Sequence, residues 1–169
     1  RIGQGRENAK TYLADHPEFA EVFNNAMTAA SGLSNEVALQ AYDFTKHRLV
    51  VDVGGGHGAV LASILRSARQ ARGVLFDLPA VVEGAGRVFD AAGVRARASV
   101  ESGSFLDRVP AGADLYVMKN VIHDWDDEHA VEILRNIRTG IDDGGRLVLL
   151  EMVLPERASS FIGHILDLE

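Results

Sequence analysis

Four glycines in a five-residue loop, placed directly after an apolar run, constrain this sequence more than any other feature. Residues 49–53 have the composition of a buried strand, residues 54–58 are glycine except for His57, and a helical pattern begins at Ala59. Glycines permit a sharp turn and let a ligand approach the bare backbone, because no Cβ intervenes. Asp77 follows Gly58 by 19 residues and comes directly after the next apolar run. A carboxylate there can hold the two hydroxyls of a ribose, so the pattern predicts a site for a nucleoside cofactor.

Strands and helices alternate from Leu49 onward. The candidate strands are residues 49–53, 73–76, 97–100, 115–118 and 146–152, and the candidate helices are residues 59–68, 80–92 and 127–141. Nearly continuous apolar strands separated by helices are typical of a parallel sheet covered on both faces. We therefore predict an α/β fold with a doubly wound parallel sheet.

The first 45 residues have a helical pattern instead. Pro17 suits a first helical position, and the apolar residues after it recur at helical spacing: Phe19, Val22, Phe23, Ala26, Met27 and Ala30. The predicted organisation is a helical segment over residues 1–45 and an α/β domain over residues 46–169. An apolar pattern is still running at Glu169, so we expect the domain to be truncated at its C-terminus.

Composition narrows the function classes. The 169 residues correspond to about one domain, and a formal net charge of −7 argues against a nucleic-acid partner. No apolar stretch is long enough to span a membrane, and the N-terminus lacks the apolar core of a signal peptide. The sequence contains no cysteine, which excludes a disulfide framework and a thiol nucleophile. Without a membrane span, a signal peptide or cysteines, we expect a cytoplasmic protein. The histidines follow no metal-ligand spacing, so we expect no metal site.

The glycine loop alone does not identify the cofactor. Gly54, Gly56 and Ala59 fit the dinucleotide fingerprint, so an NAD-dependent oxidoreductase is an alternative. Gly58 extends the loop to a G-x-G-x-G pattern, which is typical of sites where a nucleoside bearing an amino acid packs against the turn.

Five ordered motifs resemble a known family. Residues 51–58 read Val-Asp-Val-Gly-Gly-Gly-His-Gly, residues 76–79 Phe-Asp-Leu-Pro, residues 103–105 Gly-Ser-Phe, and residues 123–125 His-Asp-Trp, with Lys119 before the last. Their order is similar to that of the S-adenosylmethionine-dependent O-methyltransferases of the caffeate and hydroxyindole type, which include bacterial relatives that methylate polyketide phenols. The resemblance spans residues 17–169. It implies a class I methyltransferase fold behind a helical dimerisation segment, and a homodimer when the protein is full length.

The same resemblance implies the cofactor residues. With S-adenosylmethionine as cofactor, they would be Gly54, Gly55, Gly56, Asp77, Leu78, Ser104, Phe105 and Lys119. Asp77 would bind the ribose, Leu78 and Phe105 would flank the adenine, and Ser104 stands where many relatives have an aspartate. For Asp77 the alternative is a helix N-cap, and for Lys119 it is a side chain extending to solvent from a strand end.

His123 is the predicted general base. A phenol with a pKa near 10 is a poor nucleophile until it loses its proton, which a neutral imidazole can accept. The alternative for an isolated histidine is a purely structural role. The resemblance implies that Glu151 holds His123, while Asp124 would either orient His123 or cap the next helix. It also places Phe23, Met27 and Asn120 at the acceptor pocket; for Phe23 and Met27 the alternative is packing in the core. The expected reaction is methyl transfer to a hydroxyl, in particular a phenolic one, of a small aromatic or polyketide-like metabolite; a relative with diverged, non-methylating chemistry is a further alternative.

Overall fold

Five parallel strands form one sheet in the computed structural model, which describes residues 40–151. The strands are β1 (Leu49–Val53), β2 (Arg72–Asp77), β3 (Ala98–Ser102), β4 (Ala113–Lys119) and β5 (Ile141–Leu150). Their order in the sheet is β3-β2-β1-β4-β5, and every neighbouring pair is parallel. The predicted α/β class and parallel sheet are confirmed. The helical segment expected over residues 1–45 lies almost wholly outside the described residues.

Four α-helices connect these strands. They are α1 (Ala59–Ser67), α2 (Pro79–Val82), α3 (Ala85–Ala91) and α4 (Asp127–Gly140), and short 3-10 turns occur at Phe44–Lys46, Arg95–Arg97 and Ile122–Asp124. The single helix predicted over residues 80–92 is wrong, because α2 and α3 are separate. Gly84 lies between them, where a Cβ would come within 3.1 Å of the His57 ring. His57 of the glycine loop lies so close to Gly84 that a larger residue at this break would be crowded.

Strand β5 begins five residues before the predicted start at Arg146. Ile141 pairs with Ala113, and the register then shifts before Arg146 pairs with Leu115. Asp142, Asp143 and Gly144 occupy the shift, and Gly144 has a left-handed backbone with φ 78°. Polar residues and glycines are typical of turns, so the sequence pattern concealed this irregular part of the strand.

The sheet separates two apolar clusters, as expected from side chains that alternate along a strand. One face of the sheet packs against α1 and α3, with Val50, Leu61, Leu65, Leu75, Phe89 and Leu115 buried. The other packs against α4, with Val51, Val53, Phe76, Met118, Ile133 and Ile137 buried. No helix within the described part of the chain has the length and apolar character needed to cross a membrane.

The order of the strands reverses between β1 and β4. In open α/β sheets, ligands bind beyond the carboxyl ends of the strands at such a reversal. The loop after β1, Asp77 at the end of β2, the loop after β3, the turn after β4 and Glu151 after β5 all lie at this edge. The fold therefore brings together motifs that are up to 97 residues apart in the sequence, from Gly54 to Glu151.

Candidate active site

The glycine loop after β1 is tightly packed at Gly55 and open at Gly56. Gly54, Gly56 and Gly58 have left-handed backbones, with φ 69°, 61° and 81°. A Cβ at Gly55 would lie 2.5 Å from Cγ of Asp52, so no larger residue fits there. A side chain at Gly56 would meet open space, because no atom lies within 4 Å of the Cβ position. The open space at Gly56 lets a ligand reach the backbone directly.

Asp77 joins the end of β2 to this loop. Its Oδ2 accepts a hydrogen bond from the Gly56 N–H at 2.9 Å, and its Oδ1 accepts one from the Leu78 N–H at 2.7 Å. The N-cap alternative is wrong, because Leu78 is the N-cap residue of α2 and no side chain caps that helix. Each carboxylate oxygen has a second lone pair, so Asp77 can still accept two hydroxyls. Leu78 exposes 52% of its surface beside it.

The loop after β3 carries Ser104 and Phe105. Ser104 Oγ accepts a hydrogen bond from the Leu106 N–H at 3.2 Å. The Phe105 ring makes an edge contact with Trp125, with ring centroids 5.6 Å apart, and its Cε1 lies 3.5 Å from the Cβ position of Gly54. Phe105 therefore stands between the glycine loop and the segment that follows His123, which is consistent with the predicted apolar wall.

A single carboxylate organises the turn after β4. Glu151 Oε2 lies 2.5 Å from His123 Nδ1, and Glu151 Oε1 accepts hydrogen bonds from the N–H groups of Val121 and Ile122, each at 3.0 Å. The Glu151 side chain is 15% exposed, whereas that of His123 is 51% exposed. The buried partner thus fixes the orientation of an accessible ring. A histidine held through Nδ1 in this way can exchange a proton at Nε2.

Asp124 contacts the same ring from the other side. Its Oδ1 lies 3.2 Å from His123 Nε2. The cap of α4 is Asp126, which accepts a hydrogen bond from the His129 N–H at 3.0 Å, so the N-cap alternative for Asp124 is wrong. The arrangement instead favours an orienting role for Asp124.

Asn120 is the one residue other than glycine with a positive φ in the described part of the chain. It lies at the end of β4 with φ 54°, in the left-handed region that asparagine tolerates better than most residues. Its N–H donates to the Leu150 carbonyl at 3.0 Å, and its side chain is exposed. The chain therefore turns sharply just before His123. The other predicted acceptor residues, Phe23 and Met27, lie outside the described residues.

A buried carboxyl group lies beneath the glycine loop. Asp52 is fully buried (0% exposed), and Leu61 donates its N–H to Asp52 Oδ2 at 3.2 Å. Among the described residues, Oδ1 has no hydrogen-bond partner. Burial raises the pKa of Asp52 to about 7; the Leu61 hydrogen bond opposes that shift, the charge of Asp77 adds to it and Lys119 opposes it. Burial lowers the pKa of the half-buried Lys119, and the charge of Asp52 opposes that shift.

Sequence reasoning missed two side chains at this site. Asp52 lies in the motif at residues 51–58, but no role was predicted for it. A carboxylate inside an apolar strand is costly to bury, which itself indicates a special role. Asn136 donates from Nδ2 to the carbonyls of Phe105 and Leu106, at 2.9 and 2.7 Å. It follows the buried Ile133 by three positions on α4, and this spacing places it on the side that faces the protein.

Comparisons with known proteins agree with this geometry. The profile of a family described as "O-methyltransferase domain" matches residues 3–166. Phenazine O-methyltransferase PhzM of Lysobacter antibioticus is 43% identical over 157 residues, which cover 93% of this chain and 46% of that protein. Aclacinomycin 10-hydroxylase RdmB of Streptomyces purpurascens is 37% identical over 151 residues, covering 88% of this chain and 40% of that protein.

A solved structure agrees as well. The crystal structure of NcsB1, an O-methyltransferase from neocarzinostatin biosynthesis in complex with S-adenosyl-L-homocysteine and 1,4-dihydroxy-2-naphthoic acid, matches with a TM-score of 0.73 and 36% identity. The match covers 82% of this chain and 42% of that one. The chain thus spans less than half the length of these relatives. The predicted family and the class I methyltransferase fold are confirmed: this chain belongs to the O-methyltransferase domain family.

Proposed function

We propose that the protein transfers a methyl group from S-adenosylmethionine to a hydroxyl of a small aromatic or polyketide-like metabolite, in particular a phenolic hydroxyl. The observation that carries this proposal is the His123–Glu151 pair, 2.5 Å apart, at the same sheet edge as the glycine loop and Asp77. The relatives support the proposal, because they include a phenazine O-methyltransferase and an O-methyltransferase in complex with a dihydroxynaphthoic acid.

The residues at the sheet edge fit the cofactor. Gly56 leaves open space at its backbone, Asp77 keeps lone pairs for two ribose hydroxyls, and Leu78 offers an exposed apolar surface for adenine. Gly54, Gly55, Ser104, Phe105 and Lys119 complete the proposed set. When bound, S-adenosylmethionine supplies a methyl group whose bond to sulfur breaks as the acceptor oxygen bonds the carbon, with the electron pair staying on sulfur.

The chain's own residues then handle the acceptor proton. With Nδ1 donating to Glu151, the lone pair of His123 lies on Nε2, which takes the proton from the acceptor hydroxyl. An unprotonated Nε2 has no hydrogen to donate to Asp124, whose Oδ1 lies 3.2 Å away, so the acceptor hydroxyl must take the place of this carboxylate before the proton moves. Glu151 stabilises the imidazolium that forms, because its carboxylate is anchored by two backbone N–H groups.

The remaining predictions belong to the same proposal. Phe23, Met27 and Asn120 would line the acceptor pocket. The division into a helical segment over residues 1–45 and a cofactor-binding domain from residue 46 stays a prediction, as do the homodimer and the cytoplasmic location.

The direct test is transfer of a labelled methyl group from S-adenosylmethionine to a panel of phenols. Calorimetry with S-adenosylhomocysteine and with NAD separates the two cofactor classes. We expect binding of S-adenosylhomocysteine, no binding of NAD, and label in at least one phenol. Binding of NAD alone would overturn the proposal in favour of an oxidoreductase.

A second candidate is a reaction without methyl transfer, favoured by the similarity to a protein named as a 10-hydroxylase. It predicts that S-adenosylhomocysteine binds but that no phenol or polyketide acceptor receives label. A product that gains oxygen instead would select this candidate.

A further inference from the structure

One side chain holds the middle of the loop that presents Ser104 and Phe105. Asn136 on α4 donates from Nδ2 to the Phe105 carbonyl at 2.9 Å and to the Leu106 carbonyl at 2.7 Å. An amide NH₂ group carries two hydrogens, so both donors are used on adjacent carbonyls. No other hydrogen bond to these two carbonyls occurs within residues 40–151.

The two ends of this loop are hydrogen-bonded to the sheet: the Gly103 N–H donates to the Asp77 carbonyl at 3.0 Å, and the Tyr116 hydroxyl donates to the Pro110 carbonyl. Between these ends, the remaining polar contacts are internal to the loop or exposed. The Ser104 carbonyl accepts from the N–H groups of Asp107 and Arg108, which closes a turn inside the loop. Arg108 pairs with Glu101 at 2.7 Å, but both side chains are exposed and such pairs contribute little. Between its two ends, the loop is therefore hydrogen-bonded to the body of the protein through Asn136.

The anchor itself is rigid. Ile133 and Ile137 flank Asn136 on α4, and both are buried in the core cluster on that face of the sheet. The Phe105 ring, in turn, contacts Trp125 and stands beside Gly54. A shift of the Phe105 backbone would move this ring away from the glycine loop.

We propose that Asn136 is a positioning residue for the cofactor: from α4 it fixes the loop that places Phe105 and Ser104 at the cofactor site. This inference rests on the proposed function. Asn136 acts through the loop and not on the reacting atoms, so its loss weakens cofactor binding and raises the KM for S-adenosylmethionine. Turnover at saturating cofactor stays close to that of the wild type.

The test compares Asn136→Asp, Asn136→Ala and the control Glu132→Ala. Asn136→Asp keeps the shape of the side chain but replaces the NH₂ group, which carries both donors, with a carboxylate oxygen. This oxygen repels the two carbonyls. Glu132 is exposed on the same helix. We expect both Asn136 variants to bind S-adenosylhomocysteine about tenfold more weakly, as the loss of two hydrogen bonds predicts. The control should remain within twofold of the wild type.

Trp125 provides a second readout that does not need the cofactor. It is the single tryptophan of the sequence and touches Phe105, so acrylamide quenching of its fluorescence reports on the loop. We expect increased quenching in both Asn136 variants, with the thermal unfolding transition retained. A folded Asn136 variant with wild-type quenching and affinity within twofold would overturn the inference, and so would an equal loss in Glu132→Ala.

The two readouts separate failure of this inference from failure of the proposed function. If the wild-type protein does not bind S-adenosylhomocysteine, the proposed function fails and the cofactor role of Asn136 fails with it. Unchanged binding in Asn136→Ala beside a wild type that binds overturns the inference alone.

Discussion

Glu151 and His123 form a bridge between neighbouring strands at the carboxyl edge of the sheet. Oε2 of the glutamate, just after β5, lies 2.5 Å from Nδ1 of the histidine, just after β4. Oε1 of the same carboxylate accepts the two backbone N–H groups that precede the ring. The turn and the ring are therefore set by one side chain.

The bridge predicts that Glu151→Gln lowers turnover. The amide can still accept from Val121 and Ile122 through its oxygen, but it cannot stabilise the imidazolium as a charge does. We expect a fall in kcat of about 10- to 100-fold, the effect typical of a residue that supports a catalytic or metal-binding group. Affinity for S-adenosylhomocysteine should not change. Glu128→Gln, on the exposed first turn of α4, is the control; equal kcat values in the two variants would remove Glu151 from the mechanism.

Asp77 is predicted to contribute to cofactor affinity. Asp77→Ala removes the acceptor for two ribose hydroxyls and also the contact to the Gly56 N–H. A hydrogen bond to a charged group contributes about 1.5–3 kcal/mol, so affinity should fall roughly 10- to 150-fold. Asp77→Glu should retain more of the cofactor affinity than Asp77→Ala does. Calorimetry with S-adenosylhomocysteine measures both, and a loss under twofold in Asp77→Ala would reduce this residue to a local structural role.

Asp52 is predicted to make stability depend on pH. Its pKa is about 7 in the folded protein against 3.8 for an ordinary aspartate, so the folded state holds a proton that the unfolded state has lost between these values. The free energy of unfolding therefore falls as pH rises through this window, by up to about 1.4 kcal/mol per pH unit.

Asp52→Asn mimics the protonated form and should remove this slope. Relative to the wild type, its free energy of unfolding should rise by about 2 kcal/mol between pH 5 and pH 8. Denaturant unfolding at both pH values measures this difference. Asp90→Asn, on the exposed side of α3, is the control. If the free energy of unfolding changed with pH in the same way in the wild type and in Asp52→Asn, the raised pKa of Asp52 would be contradicted.

Arg97 is predicted to stabilise the end of α1. Its guanidinium donates to the carbonyls of Leu65, Ala68 and Ala71 at 2.6, 3.1 and 2.9 Å. Leu65 lies in the last turn of the helix, where carbonyls lack intrahelical partners, and Ala68 and Ala71 follow the helix. The Ala68 carbonyl also accepts a hydrogen bond from the Ala71 N–H at 3.0 Å. Arg97→Ala should lower the free energy of unfolding by about 2 kcal/mol. The exposed Arg95→Ala should leave it nearly unchanged, and chemical denaturation of both variants decides whether the contacts or the charge matter.

The alternation of apolar runs and helical patterns predicted the sheet because both signals are local. Leu49–Val53 was predicted to the residue, and α4 to within one. The break at Gly84 and the early start of β5 were missed. Gly84 lies against the His57 ring, and the first residue of β5 pairs with Ala113. Such contacts join distant parts of the chain and leave no periodic pattern.

The candidate site divides in the same way. Asp77 and His123 follow predicted strands, and parallel strands bring their carboxyl ends to one edge. Asn136 was missed, because it satisfies carbonyls about 30 residues away in the sequence. Outside the site, Arg97 was missed for the same reason. A polar residue beside an apolar helical stripe marks the place of Asn136 but does not identify its partners.

The general base is tested most directly by His123→Ala, with His129→Ala as the control. Both rings are about half exposed and each contacts a carboxylate, but His129 pairs with Asp126 at the start of α4. We measure kcat for phenols of different acidity and the Kd of S-adenosylhomocysteine. We expect a loss in kcat of about 10²–10⁴-fold for a weakly acidic phenol, a smaller loss for more acidic phenols, and a Kd within twofold of the wild type. Near-wild-type turnover of His123→Ala on the weakly acidic phenol would contradict this prediction.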